Sequence, residues 1–180
     1  DLTGIGPYSV YPRTSGIEAN QIVGLVGGSY KCPNYRAQAR VVFQNKNVMC
    51  QYRAVGHPIA TAVTEALVEM AAAQIRMDPL EIRRRNLVPD DGYPCAAPSG
   101  LKFEQLSHHE SLAHLDSMMN YAGLRAEQKK LREQGVYRGL GFASFIEVTN
   151  PSAAFYGVGG ARITSMDGAT VKLDAQGMIS

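Results

Sequence analysis

Residues 58–89, PIATAVTEALVEMAAAQIRMDPLEIRRRNLVP, decide how this chain folds. Pro58 suits the first turn of a helix, where its missing N–H is no loss. Ile59, Val63, Ala66, Leu67, Met70 and Ala73 then recur at the three-and-four spacing that places them on one face. A long helix with that face buried is predicted. Asp78-Pro79-Leu80-Glu81 restarts the pattern: an N-cap carboxylate, proline at the first helical position, and Glu81 placed to reach back to the cap's own N–H. This second helix stops near Leu87, ahead of Pro89. Arg83, Arg84 and Arg85 spread over about 200° of helical arc, which reads as a solvated face with one or two internal ion pairs rather than a nucleic-acid contact.

Upstream, the first fifty-odd residues mix Gly, Pro and Tyr with short β-prone runs. Tyr35 to Asn45, carrying Val41, Val42 and Phe43, is the best strand among them. Downstream, residues 90–100 form a loop, and Ser107-His108-His109-Glu110 reads as a capping box ahead of Leu112, Leu115 and Met119. Gly123 suits the end of that helix, and Gly135 closes a charged one running from about Leu124 to Gln134. Tyr137 to Thr149 returns to strand composition, and Asp167-Gly168 signals a two-residue hairpin. The order of strands, helices, strands gives an α+β fold, with mixed or antiparallel strands flanking a central group of helices. A boundary between Tyr93 and Phe103 divides the chain into residues 1–95, a loop and helix pair, and residues 96–180, a helical hairpin followed by strands.

Composition narrows the function classes. The 180 residues are 45% hydrophobic, enough for a buried core, and 18 basic against 16 acidic side chains leave a net charge of only +2. So even a balance creates no single-sign field for nucleic acid or an anionic membrane. Cys32, Cys50 and Cys95 cannot all pair and show no C-x-x-C spacing, which suits a reduced, cytoplasmic setting. No apolar run approaches the ~20 residues that span a bilayer. The chain opens on Asp1 without an initiator Met, as expected of an internal piece.

Several familiar signatures fail on geometry. His109 and His114 are five residues apart, not four, so they face different sides of a helix and do not converge on a zinc ion. The glycine clusters at 24–28, 139–141 and 157–160 complete neither a P-loop nor a G-x-G-x-x-G turn. One segment stands out instead: Gln51-Tyr52-Arg53-Ala54-Val55-Gly56-His57-Pro58. An arginine, two small residues and a glycine arrive at the N-terminus of a long helix, where unpaired N–H groups and a guanidinium fork favour an anion. The bland alternative is a tight connection in which Arg53 pairs with Glu65 or Glu69.

Tyr30-Lys31-Cys32-Pro33-Asn34-Tyr35-Arg36, Tyr52 to Pro58, Met70 to Ala73, Asp78 to Pro89, Pro98-Ser99-Gly100, Leu124 to Glu127 and Tyr137 to Glu147 together resemble a segment of one family. It is the molybdopterin-binding large subunit of xanthine dehydrogenases and aldehyde oxidases. Each piece is modest, and their shared order from about Gly6 to Asp174 makes the match specific.

The resemblance implies a molybdenum hydroxylase that inserts water-derived oxygen into a C–H bond. It implies molybdopterin, in the cytosine dinucleotide form of bacterial relatives, with iron–sulfur clusters and FAD on partner subunits in a dimer of heterotrimers. It places Arg53, Tyr52 and Ala54 against the cofactor, and Val55 and Gly56 on the substrate side. The catalytic glutamate belongs to a part of the family subunit outside this sequence. Gln21 falls where xanthine-oxidising relatives carry a substrate-orienting arginine, and Val55 where they carry phenylalanine. That apolar, roomier wall suits an aldehyde or a bulkier N-heteroaromatic substrate, and the heteroaromatic is the preferred reading of the two. A non-catalytic assembly module that keeps the fold is the further alternative.

Overall fold

The computed structural model describes residues 16–42, 45, 54–147 and 169–179. The chain divides into two compact units, Asp1–Glu147 and Val148–Ser180. Among the described residues, five α-helices and one two-stranded antiparallel sheet make an α+β fold. In chain order these are α1 (Gly16–Leu25), α2 (His57–Gln74), α3 (Pro79–Asn86), β1 (Cys95–Ala96), β2 (Lys102–Phe103), α4 (His108–Met119) and α5 (Tyr121–Glu133).

The helix α1 departs from the expectation of short β-prone runs. Its sequence, GIEANQIVGL, is too short and too glycine-rich to stand alone in water. Ala19 and Ile22, three apart, are buried, and α1 is held through its contact with α2.

The long helix starts as the sequence predicts, with Pro58 in its first turn. The buried face is a different one. Ala66, Leu67, Met70 and Ala73 are exposed, while His57, Ala60, Thr64, Glu65 and Ala72 are buried. Hydropathy alone misses this, because the buried Thr64 and Glu65 have partners. Gly27 N–H donates to Thr64 Oγ1 at 2.9 Å and Tyr30 O–H donates to Glu65 Oε1 at 2.6 Å. A satisfied polar group loses little on burial.

Asp78 caps α3 by accepting from the amides of Leu80 and Glu81, and the helix ends at Asn86 with Leu87 as its C-cap. Glu81 does not close the reciprocal half of the box; its carboxylate takes Arg85 Nε at 2.6 Å, four residues on. The triple arginine also splits. Arg84 and Arg85 form the solvated face with Glu81 and Asp116, whereas Arg83 is among the most deeply buried side chains.

The core of this unit gathers Tyr30, Leu80, Leu87, Leu112 and Tyr121. Complete burial of Leu80 and Leu87 contributes roughly 1.5–3 kcal/mol each. Phe142 meets Tyr121 edge-on, with ring centroids 5.2 Å apart.

The loop of residues 90–100 contains β1, paired with β2 in the register Cys95 to Phe103 and Ala96 to Lys102. Ser107 precedes α4 as expected, but its side chain makes no cap. The carboxylate of Asp90 replaces it, accepting from His109 N–H and Glu110 N–H at 3.2 and 3.0 Å. Asn120, at φ 48°, makes the left-handed link to α5, and Gly123 lies inside α5 against the Asn120 side chain. Gly135, at φ 78°, follows α5 as predicted.

Neither long strand appears. Residues 35–42 and 137–147 form no ladder with any described residue. Val41 and Val42 are accordingly exposed. The Asp167-Gly168 hairpin lies outside the described residues. In the second unit Leu173 bridges Ile179 around a turn whose amides at Gln176 and Met178 donate to Asp174 Oδ1.

Candidate functional site

Tyr52 and Arg53 lie outside the described residues, so the describable site begins at Ala54. Ala54 and Val55 both adopt the left-handed conformation, at φ 75° and 55°. The Cβ of an L-residue crowds the following carbonyl there, at a cost of roughly 1–2 kcal/mol each. For β-branched valine the conformation is an outlier, and such strain persists only where the surroundings impose it.

Those surroundings can be named. The backbone N–H of His57 donates to Ala54 O at 3.0 Å, and His57 Nδ1 meets the same oxygen at 2.9 Å. A carbonyl oxygen only accepts, so the ring proton sits on Nδ1. From α1, Gln21 Oε1 accepts the Gly56 N–H at 2.7 Å. Gly56 itself, at φ −85°, needs no unusual backbone; it is glycine because α1 is so close. A Cβ there would lie 2.9 Å from both Glu18 O and Ile22 N. The sequence reading puts Gly56 on the substrate side, and the structure buries it against the backbone of α1.

The start of α2 therefore offers fewer donors than its sequence suggests. The amides of Gly56 and His57 are engaged, and Pro58 has none. Within the 54–56 turn that leaves the amides of Ala54 and Val55 as the candidate donors. Donors at those two positions would suit an anionic or oxo-bearing group.

His57 also lines a cavity of about 20 Å³, together with Ser29, Thr61, Thr64, Ser144 and Phe145. His57 Nε2 is buried and has no hydrogen-bond partner among the described residues. Farther along α2, Glu65 and Glu69 both pair with Arg83, at 2.9 and 3.2 Å, and Arg83 also donates to the carbonyls of Pro79 and Phe142. Both acids invoked as alternative partners for Arg53 thus have a basic partner on α3. Burial pushes the Tyr30 hydroxyl well above its usual range, and its bond to Glu65 adds to this.

The two histidines of the apparent zinc spacing are not brought together. His109 Nε2 donates to Leu87 O at 3.2 Å, while His114 is exposed. Sequence reasoning overlooks Gln21 and His57 as the residues that hold the turn. The spacing between Gln21 and Gly56 carries no periodic signal; only the proximity of α1 and α2 joins them.

A sequence model of the molybdopterin cofactor-binding domain matches residues 2–87. The nicotine 6-hydroxylase large subunit of Paenarthrobacter nicotinovorans is 31% identical over 97% of this chain and 21% of its own length. The structure of quinoline 2-oxidoreductase from Pseudomonas putida 86 superposes with a TM-score of 0.83 at 32% identity, over 98% of this chain and 22% of that one. The aldehyde oxidoreductase of Desulfovibrio gigas gives a TM-score of 0.59 at 26% identity, over 70% of this chain and 13% of that one. The chain thus spans about a fifth of the length of the first two relatives. With the strained turn at Ala54 and Val55 lying inside the matched domain, the chain belongs to the xanthine dehydrogenase family of molybdenum-dependent oxidoreductases, within its molybdopterin-binding part.

Proposed function

We propose that this chain forms one wall of the active site in the large subunit of a molybdenum hydroxylase that oxidises a C–H bond of an N-heteroaromatic substrate with water-derived oxygen. The observation that carries this reading is the pair of left-handed residues, Ala54 and Val55, at the entrance to α2. Strain of that kind on a non-glycine turn is maintained where a ligand needs the backbone in one place.

Tyr52, Arg53 and Ala54 would hold the molybdopterin group through the guanidinium and backbone donors, and Val55 would present an apolar wall to the substrate. Gly56 contributes by letting α1 close on the turn. When bound, the group supplies the oxidising centre that activates water and takes up the electron pair. The residues of this chain orient it and shape the space beside it. The catalytic base lies elsewhere in the subunit.

The heteroaromatic reading draws support from the extent of similarity. Relatives named for nicotine and quinoline match 97% and 98% of this chain, whereas the aldehyde enzyme's structure matches 70%. An aldehyde substrate is the second reading, and an assembly module that keeps the fold without chemistry is the third. The finer assignments belong to the same proposal: the cytosine dinucleotide form of the pterin, iron–sulfur and FAD partner subunits in a dimer of heterotrimers, and a cytoplasmic location. Among the described residues no helix is long and apolar enough to cross a membrane.

The test is metal and turnover analysis of the full-length protein with its partners. Molybdenum is expected, with oxygen from labelled water entering quinoline- or nicotine-type rings. Arg53→Ala is expected to lower turnover while the protein stays folded. A complex without molybdenum overturns the proposal.

A further inference from the structure

From the bond between α1 and the start of α2 we infer that Gln21 is a positioning residue, which with His57 clamps the Ala54–Val55 turn in its left-handed form. The functional half of this inference rests on the reading of residues 52–56 as an active-site turn; the conformational half does not.

Four observations converge. The turn holds two residues, at φ 75° and 55°, that would relax to ordinary backbone if released. Gly56, the next residue, is fixed from α1 by a single side-chain bond, its N–H to Gln21 Oε1 at 2.7 Å. Because the partner is an N–H donor, the Gln21 oxygen and not its NH2 must face the turn. From the other side, Ala54 O receives His57 N–H and His57 Nδ1–H at 3.0 and 2.9 Å. Gln21 and His57 therefore grip the turn just before and just after the strained pair's connection to the helix, one from each helix.

The two clamps differ in what they leave free. His57 acts within its own turn, and its backbone bond persists in any variant. Gln21 is the one described side chain that bonds the 54–56 turn from outside α2. Its carbonyl oxygen is committed to the backbone, so that atom serves as a hinge pin for the turn. Losing that acceptor strands the Gly56 N–H against α1, where the close approach of Glu18 O and Ile22 N leaves little room for water. The turn should then relax, moving Val55 and the arginine ahead of Ala54 together.

Hydrogen exchange on the full-length protein, combined with kinetics, tests this. In Gln21→Leu the peptide spanning 52–60 is expected to exchange about tenfold faster, the loss of one partly buried hydrogen bond. Turnover should fall about 10- to 100-fold with molybdenum content unchanged, as misplacement of a positioning element predicts. Gln21→Glu keeps an acceptor oxygen at the same reach and should recover most of both. If Gln21→Leu does not fold, Gln21→Asn, polar but one methylene shorter, makes the same comparison.

Unchanged exchange at 52–60 in the leucine variant, or a glutamate variant as impaired as leucine, overturns the assignment. A wild-type protein lacking molybdenum overturns the functional reading instead, and the exchange comparison still decides what Gln21 does.

Discussion

Nη2 of Arg83, on α3, lies 2.9 Å from Glu65 Oε2, on α2, with only 1% and 7% of the two side chains exposed. Glu65 also receives the Tyr30 hydroxyl, and Arg83 donates to Phe142 O, so four separate segments meet at one buried charge pair. Glu65 outweighs the lowering effect of burial on Arg83 and raises its pKa.

Such a pair is hard to break singly and easier to lose whole. Arg83→Met leaves an uncompensated carboxylate under the core and should cost about 3–5 kcal/mol. Combining it with Glu65→Met removes both charges, and the double variant should be more stable than the sum of the single losses by more than 1 kcal/mol, a coupling expected of contacting residues. Urea unfolding of the four proteins in the cycle decides it. Additive losses would show that the two side chains do not depend on each other.

Gly56→Ala asks whether α1 truly closes on the turn. The backbone angles at Gly56 suit alanine, so any cost comes from the new methyl meeting Glu18 O and Ile22 N at 2.9 Å. Overpacking of this kind costs about 1–3 kcal/mol. The expected result is a drop in stability in that range together with faster exchange in residues 18–25. A neutral substitution would mean that α1 yields without penalty.

Val55→Gly should behave in the opposite sense to most valine-to-glycine changes. Glycine adopts φ 55° without the crowding that valine suffers, and relief of about 1–2 kcal/mol offsets the roughly 0.5–1 kcal/mol of backbone entropy lost by glycine on folding. Stability by urea unfolding should therefore be unchanged or slightly raised. A loss above 2 kcal/mol would contradict a strained turn.

How much of this was legible in the sequence follows from the range of the forces involved. Asp78 as cap, Pro58 in a first turn and Gly135 after α5 are local effects, decided within a few residues. The buried face of α2 was not legible, because Thr64 and Glu65 are acceptable inside only once Gly27, Tyr30 and Arg83 arrive from elsewhere. The replacement of Ser107 by Asp90 as the cap of α4 has the same origin. At the site, the motif around Arg53 drew attention to the 54–56 turn, with Arg53 itself outside the described residues. What holds that turn, Gln21 on a helix that the composition did not announce, came from tertiary contact alone.

The hydrogen bond from Tyr121 O–H to Asp78 Oδ2, 2.7 Å long, makes α5 and the cap of α3 report on pH from both ends. Burial works to raise the Asp78 carboxyl, but Tyr121 and the amides of Leu80 and Glu81 together outweigh it and hold its pKa below 3.8. As pH falls past 3.8 the unfolded chain takes up the proton first, so stability is complete above that value and declines toward the lower folded pKa. At the other end, burial and then Asp78 push Tyr121 from 10.0 up to about 12. Between those values the unfolded chain loses its phenolic proton first, so stability is full below pH 10.0 and falls as pH rises toward 12. Asp78→Asn keeps a capping oxygen yet should flatten the acid limb relative to wild type, and Tyr121→Phe should flatten the alkaline one. Equilibrium unfolding across both windows separates the two. If either variant retains the wild-type slope in its own window, the bond between these residues is not what couples the helices to protons.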